Sequence, residues 1–298
     1  MIEAQNGLTW PRWKNLAAAV EALGFAGLYR SDHFTNATPP DKDSLELWVS
    51  LTWLASHTKR IEFGPLVSPV SLRHPALTAR MAAAVDDLSG GRLTLGLGAG
   101  WQEREHDLFG FDLLDVKSRV NRFEEGLEVI TRLLKSDAPV TFEGNYYQLH
   151  AATLLPRPAR PGGARILIGG NGEKRTMSLV AKYADEWNAV FLPPQEFANL
   201  NTRLDELLKA AGREPKSVRR SMMTGLSFGR SRKELGALVT DRNQTTDELR
   251  KRVVVVGVAE EVFEQLKELE TAGLQRIMLQ WLDLDDLKGL AALAKAVL

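Results

Sequence analysis

The sequence predicts an α/β fold, a single (β/α)8 TIM barrel over residues 1–298 with an insertion before the fifth strand. Three observations predict it. Eight short apolar runs alternate with longer amphipathic runs, the pattern of βαβ units around a parallel sheet. Right-handed crossovers leave an open doubly wound sheet or a closed barrel, and eight units in 298 residues fit the barrel. No shift in composition marks a linker, although length alone would allow about two domains.

The elements follow in order. Residues 1–5 form a short first strand, and 10–23 carry a helix pattern. Pro11 suits the first turn of that helix, and Gly24 sits where a C-cap needs positive φ. The second strand is 26–31. A helix over 44–57 places Leu45, Trp48, Leu51 and Leu54 at helical spacing. The third strand is 60–67, and the helix over 75–88 closes at Ser89-Gly90-Gly91. The fourth strand is 92–97. A long helix over 118–135 shows Val120, Phe123, Leu127 and Ile130 on one face. The rhythm breaks at 139–163, which reads as a hairpin around Glu143-Gly144-Asn145 and a connector with Pro156, Pro158 and Pro161. Strand five is 165–168, followed by a helix over 173–183. Strand six is 186–191, followed by a helix over 195–211. Strand seven is 218–228, and the polar stretch 231–252 is helix and loop. A helix over 260–271 ends at Gly273, strand eight is 275–280, and 284–298 is the closing helix.

Composition removes several function classes. Lys plus Arg is 38 and Asp plus Glu is 38, so no basic surplus exists for nucleic acid or an anionic membrane surface. The absence of cysteine excludes disulfides, thiolate metal sites, iron–sulfur clusters and a cysteine nucleophile. The start lacks a basic segment before an apolar run, and no apolar run reaches about 18 residues. A cytoplasmic location is expected. The histidines at 33, 57, 74, 106 and 150 show no close-paired ligand spacing, and no metal site is expected.

Barrel chemistry gathers at the C-terminal ends of the strands. The second strand ends in Tyr29-Arg30-Ser31-Asp32-His33-Phe34. An adjacent Asp and His can supply a general base near neutral pH. Strand alternation would send Asp32 and His33 to opposite faces. The competing reading has His33 as a structural histidine and Asp32 paired with Arg30. The third strand carries Pro65 and Pro69, which suggest a bulge at its exit. In the fourth strand Leu93, Leu95 and Leu97 share one face, while Thr94, Gly96, Gly98 and Gly100 share the other. The glycine face would leave space for a flat ligand near the backbone. The fifth strand ends in Ile168-Gly169-Gly170-Asn171-Gly172 and opens a helix, an arrangement that presents backbone N–H groups to an anion. A tight turn that only needs positive φ explains the same residues. Glu103 and Glu105 suit the start of a helix and have a structural reading there.

These segments, with Arg73-His74-Pro75 and Leu88-Ser89-Gly90-Gly91-Arg92, resemble the bacterial luciferase-like family, in its coenzyme F420-dependent oxidoreductase branch. The resemblance covers nearly the whole chain and implies a barrel holding a deazaflavin or flavin in its mouth. It implies His33 and Asp32 as catalytic residues beside the ring, with the histidine as acid/base. It implies a non-prolyl cis peptide at Leu66–Val67. It assigns cofactor contacts to Asp32, Leu66, Val67, Ser68, Ala99 and Gly100, and the cofactor phosphate to Gly169, Gly170, Asn171 and Gly172. Family members tend to form homodimers. In the sugar-phosphate dehydrogenase branch a glutamate follows the last glycine of the fourth strand. Trp101 stands there, which argues against glucose 6-phosphate.

The expected function is hydride transfer between F420 and a small alcohol, carbonyl or activated alkene, since the cofactor carries the redox chemistry. A monooxygenase using FMNH2 and oxygen is the alternative, and a cofactor-binding protein without turnover is the third reading.

Overall fold

The computed structural model describes residues 1–241 and 243–298. Its inner wall is made of short strands whose small and branched residues are buried on both faces, as parallel strands covered by helices require. In chain order the strands are β1 (Gly27–Arg30), β2 (Glu62–Pro65), β3 (Ser68–Pro69), β4 (Thr94–Gly98), β5 (Val140–Glu143), β6 (Gln148–Ala152), β7 (Arg165–Gly169), β8 (Glu186–Val190), β9 (Arg219–Phe228), β10 (Val255–Gly257) and β11 (Arg276–Gln280). The helices are α1 (Trp10–Leu23), α2 (Leu47–His57), α3 (Pro75–Leu88), α4 (Glu103–Phe109), α5 (Val116–Lys135), α6 (Arg175–Tyr183), α7 (Pro194–Ala210), α8 (Arg232–Asp241), α9 (Thr246–Lys251), α10 (Ala259–Thr271) and α11 (Leu287–Val297).

Parallel pairing joins β4 to β7, β7 to β8, β8 to β9 and β9 to β11. Strand β1 pairs in parallel with β2. Three further contacts connect these ladders around a ring. Phe63 N donates to Arg92 O at 3.2 Å, which ties β2 to β4. Ile2 N donates to Tyr29 O at 2.9 Å, and Ser31 N donates to Ile2 O at 3.1 Å. On the other side Met1 N donates to Leu279 O at 2.9 Å, and Trp281 N donates to Met1 O at 2.9 Å. The first two residues therefore sit between β1 and β11. The architecture is the TIM barrel that the alternation predicts, with helices outside it. Leu93, Leu95 and Leu97 are at most 1% exposed and share one core with Ala79, Ala82, Leu127 and Ile130 of α3 and α5.

The first strand is shorter than expected. Only Ile2 forms a bridge, and Ala4–Asn6 turns into a 3-10 helix ended by Gly7 at φ 105°. The cause is local: Ala4 N donates to Ser31 Oγ at 2.8 Å instead of continuing the ladder. Helix α2 starts three residues later than its periodicity suggests, because the Glu46 carboxylate accepts Val49 N at 2.7 Å and caps it there. Residues 139–163 contain the β5–β6 antiparallel hairpin. The polar stretch 231–252 holds α8 and α9, with Arg242 outside the described residues, and α9 begins at a capping box between Thr245 and Glu248. Short strands β3 and β10 were not expected.

Candidate active site at the barrel mouth

Strand β1 ends at Arg30, whose guanidinium is buried. It donates to Leu45 O at 2.6 Å and Ser50 Oγ at 2.5 Å. Arg30 therefore does not pair with Asp32 as the competing reading had it. Asp32, 2% exposed, instead takes Arg73 Nη1 at 2.5 Å and Ser68 Oγ at 2.8 Å. Arg73 also reaches Glu46 at 2.9 Å.

His33 turns the other way. Its Nδ1 lies 2.9 Å from Glu105 Oε1, and Phe34 N donates to Glu105 Oε2 at 2.9 Å. Glu105, on the first turn of α4, is fully buried. Ser44 Oγ holds the His33 carbonyl at 2.8 Å. The Trp101 ring stands edge-on to the imidazole at 5.5 Å. With Nδ1 engaged, Nε2 is the nitrogen left for a ligand. Burial disfavours the imidazolium, but the Glu105 hydrogen bond and charge outweigh it, with Glu3 and Asp32 adding, and the His33 pKa lies above its usual 6.5.

That shift has a sign for stability. The pair strengthens the fold fully below the unfolded value near 6.5 and loses its contribution as pH rises through the raised folded value. Glu105→Gln is expected to flatten this dependence, read by denaturation midpoints across pH. An unchanged profile would mean that the pair contributes nothing.

The cavity at the mouth measures about 490 Å3, within the range of roughly 300–1,000 Å3 usual for small-ligand sites. His33, Leu66, Val67, Ala99, Gly100, Gly169 and Gly170 of the expected residues line it. Asp32, Ser68, Asn171 and Gly172 do not. Asp32 and Ser68 are bonded to each other and to Arg73. The Asn171 amide is spent on the Val190 backbone, donating to its carbonyl at 2.7 Å and accepting its N–H at 2.9 Å. A Cβ on Gly172 would meet Thr176 Oγ1 at 2.6 Å. These two residues shape the β7–α6 turn.

The peptide Leu66–Val67 is cis. It also changes the meaning of the glycine face on β4. A Cβ on Gly96 would collide with Pro65 O, and one on Gly98 would meet Val67 Cγ2 at 2.7 Å. These glycines make room for the neighbouring strand exit before they make room for a ligand. Gly96→Ala is expected to cost about 1–3 kcal/mol, the usual range for overpacking, measured by chemical denaturation. A variant as stable as the parent would show that the β2 exit yields freely.

Sequence reasoning missed Glu105 as a partner, and it missed the polar residues Glu3, Gln5, Ser31, Asn188 and Gln280 that line the mouth. Their only sequence signal is position in or just past a strand.

A flat redox ring fits these residues. Leu66 and Val67 offer an apolar surface, the glycines after β4 and β7 leave backbone exposed, and one titratable ring faces the space.

Comparison with known proteins gives the family. The family model described as luciferase-like monooxygenase matches residues 2–246. The chain is 30% identical over 223 residues to an F420-dependent glucose-6-phosphate dehydrogenase of Kineococcus radiotolerans, covering 72% of this chain and 63% of that protein. It is 32% identical over 189 residues to 4-hydroxyprotoasukamycin monooxygenase of Streptomyces nodosus subsp. asukaensis, covering 63% of this chain and 49% of the relative. The match thus spans less than two thirds of either relative's length. Its fold is similar to an F420-dependent secondary alcohol dehydrogenase solved with an F420-acetone adduct, at TM-score 0.82 and 21% identity, covering 100% of this chain and 98% of that one. The chain belongs to the luciferase-like monooxygenase family.

Proposed function

We propose that this enzyme is an F420-dependent oxidoreductase that moves a hydride between the deazaflavin and a small alcohol or carbonyl compound. The observation that carries the reading is the His33–Glu105 pair, an imidazole with one nitrogen anchored and the other facing the cavity beside Leu66 and Val67. Relatives named for F420 support the cofactor choice.

When bound, F420 supplies the hydride acceptor or donor. The chain's own residues manage the proton and the position. In alcohol oxidation His33 Nε2 takes the hydroxyl proton as the carbinol hydride leaves, and a carbonyl product forms. Glu105 keeps the Nδ1 proton in place and stabilises the imidazolium. In the reverse direction the protonated His33 returns the proton to the carbonyl oxygen. Leu66, Val67, Ala99 and Gly100 would hold the ring, and Gly169 and Gly170 would line the place of the phosphate, ahead of the start of α6.

Anaerobic assays with sec-butanol test this. Oxidation should gain rate as pH rises through the raised His33 pKa, and ketone reduction should lose rate over the same range. No change in F420 absorbance with any alcohol or ketone would overturn the reading. Oxygen-dependent product formation with reduced FMN would favour the monooxygenase chemistry of the relative from Streptomyces.

A further inference from the structure

We infer that Glu3 is a specificity-determining residue that selects a substrate carrying a protonated amine and rejects anionic substrates. This rests on the oxidoreductase reading above and names the substrate class of the same site.

The charge arrangement at the mouth points to it. Among the described residues lining the cavity there is no lysine or arginine, and the ionisable side chains are His33 and Glu3. The Glu3 carboxylate is fixed rather than loose. Gln5 Nε2 donates to Oε2 at 2.9 Å, and Gln280 Nε2 donates to Oε1 at 2.6 Å. Gln5 is held in turn by Ser31, whose Oγ donates to Gln5 Oε1 at 2.6 Å. These partners are neutral amides and a hydroxyl. They orient the carboxylate without cancelling its charge. Among the described residues no ion pair reaches Glu3. Its charge is felt across the cavity, since it helps to raise the His33 pKa.

A preorganised carboxylate that no lysine or arginine pairs with, in a partly apolar cavity, attracts a cation and repels a like charge. Each oxygen retains acceptor capacity beyond the amide it already holds. A substrate whose reacting carbinol sits at His33 would place an ammonium toward Glu3. A phosphate or carboxylate placed there would meet a like charge with no lysine or arginine on the lining to offset it. Glucose 6-phosphate, the substrate in the name of the relative from Kineococcus, is therefore a poor fit to this mouth.

Three alcohols that share a CH3–CH(OH)–CH2 core test the inference: isopropanolamine, sec-butanol and β-hydroxybutyrate. With F420 and the full chain, kcat/KM should fall in that order. A gap of about 10-fold or more is expected between the first and the last, the size of a single coupling of about 1.4 kcal/mol. Glu3→Gln should close the gap, mainly through KM. Saturation-transfer NMR without cofactor gives a readout independent of turnover: isopropanolamine should bind the parent chain and lose binding in Glu3→Gln. Raising the salt concentration should erode the preference in the unaltered protein, which covers the case that the variant fails to fold. Equal or stronger binding of β-hydroxybutyrate, or a preference untouched by Glu3→Gln and by salt, would overturn the inference. Failure of all three alcohols to reduce F420 would instead count against the oxidoreductase reading, while the NMR result would still decide the role of Glu3.

Discussion

His33→Ala is expected to lower turnover by ~10²–10⁴-fold while leaving F420 binding in place, the usual contribution of a positioned acid/base group. That loss corresponds to about 2.7–5.5 kcal/mol of transition-state stabilisation. The expectation follows from geometry. Nδ1 is committed to Glu105 at 2.9 Å, so Nε2 alone can exchange a proton with a ligand. The ring contributes no large apolar surface to the cavity, so its removal should alter kcat far more than cofactor affinity. Stopped-flow reduction of F420, paired with a fluorescence titration of binding, separates the two effects. Equal losses in binding and turnover would make His33 a packing residue. Unchanged turnover would remove it from the chemistry.

The largest effect on stability is expected at Arg73, which sits on Asp32. Asp32 and Arg73 side chains are 3% and 12% exposed, and their closest contact is 2.5 Å. Arg73→Ala leaves a buried carboxylate with Ser68 Oγ as its remaining side-chain donor among the described residues. Breaking one side of a buried pair costs about 3–5 kcal/mol, because the stranded charge is desolvated. Removing both partners together should cost less than the sum of the single changes. The Glu46 contact adds little by itself, since that carboxylate is 45% exposed. Urea denaturation of Arg73→Ala, Asp32→Ala and the double variant measures the coupling. Additive losses would mean that the pair does not act as a unit.

The barrel was legible because its signal is repetitive. Each strand is a short apolar run, each helix has a 3.6-residue stripe, and the turns carry glycine or proline. Helices α1 and α3 begin and end where their proline and glycine or serine signals put them. The short first strand was less legible, because Ala4 gives its N–H to Ser31, a tertiary contact across 27 residues. The site was legible only in part. His33, Leu66, Val67, Ala99, Gly100, Gly169 and Gly170 meet at the mouth because each ends or follows a strand. Glu105 lies 72 residues from His33, and nothing local distinguishes it from an acidic residue favouring a helix start. The same distance problem hid Arg73, 41 residues from Asp32, behind the nearer Arg30. The glycines of β4 were misread for a different reason. A missing side chain signals a close neighbour, and the sequence does not say whether that neighbour is ligand or protein. Here Pro65 and Val67 take the space at Gly96 and Gly98.

The polar lining of the mouth comes from segments too short or too irregular to carry a pattern. Glu3 and Gln5 follow the single-residue bridge at Ile2, and Gln280 is the last residue of β11. Their meeting depends on closure of the ring by residues 1–2.

Parallel binding titrations of F420 and FMN test most directly whether the barrel mouth holds a deazaflavin. The expected result is saturable F420 binding that is at least about 10-fold tighter than FMN binding, a difference of about 1.4 kcal/mol. Tighter binding of FMN, or no saturable binding of F420, would contradict it.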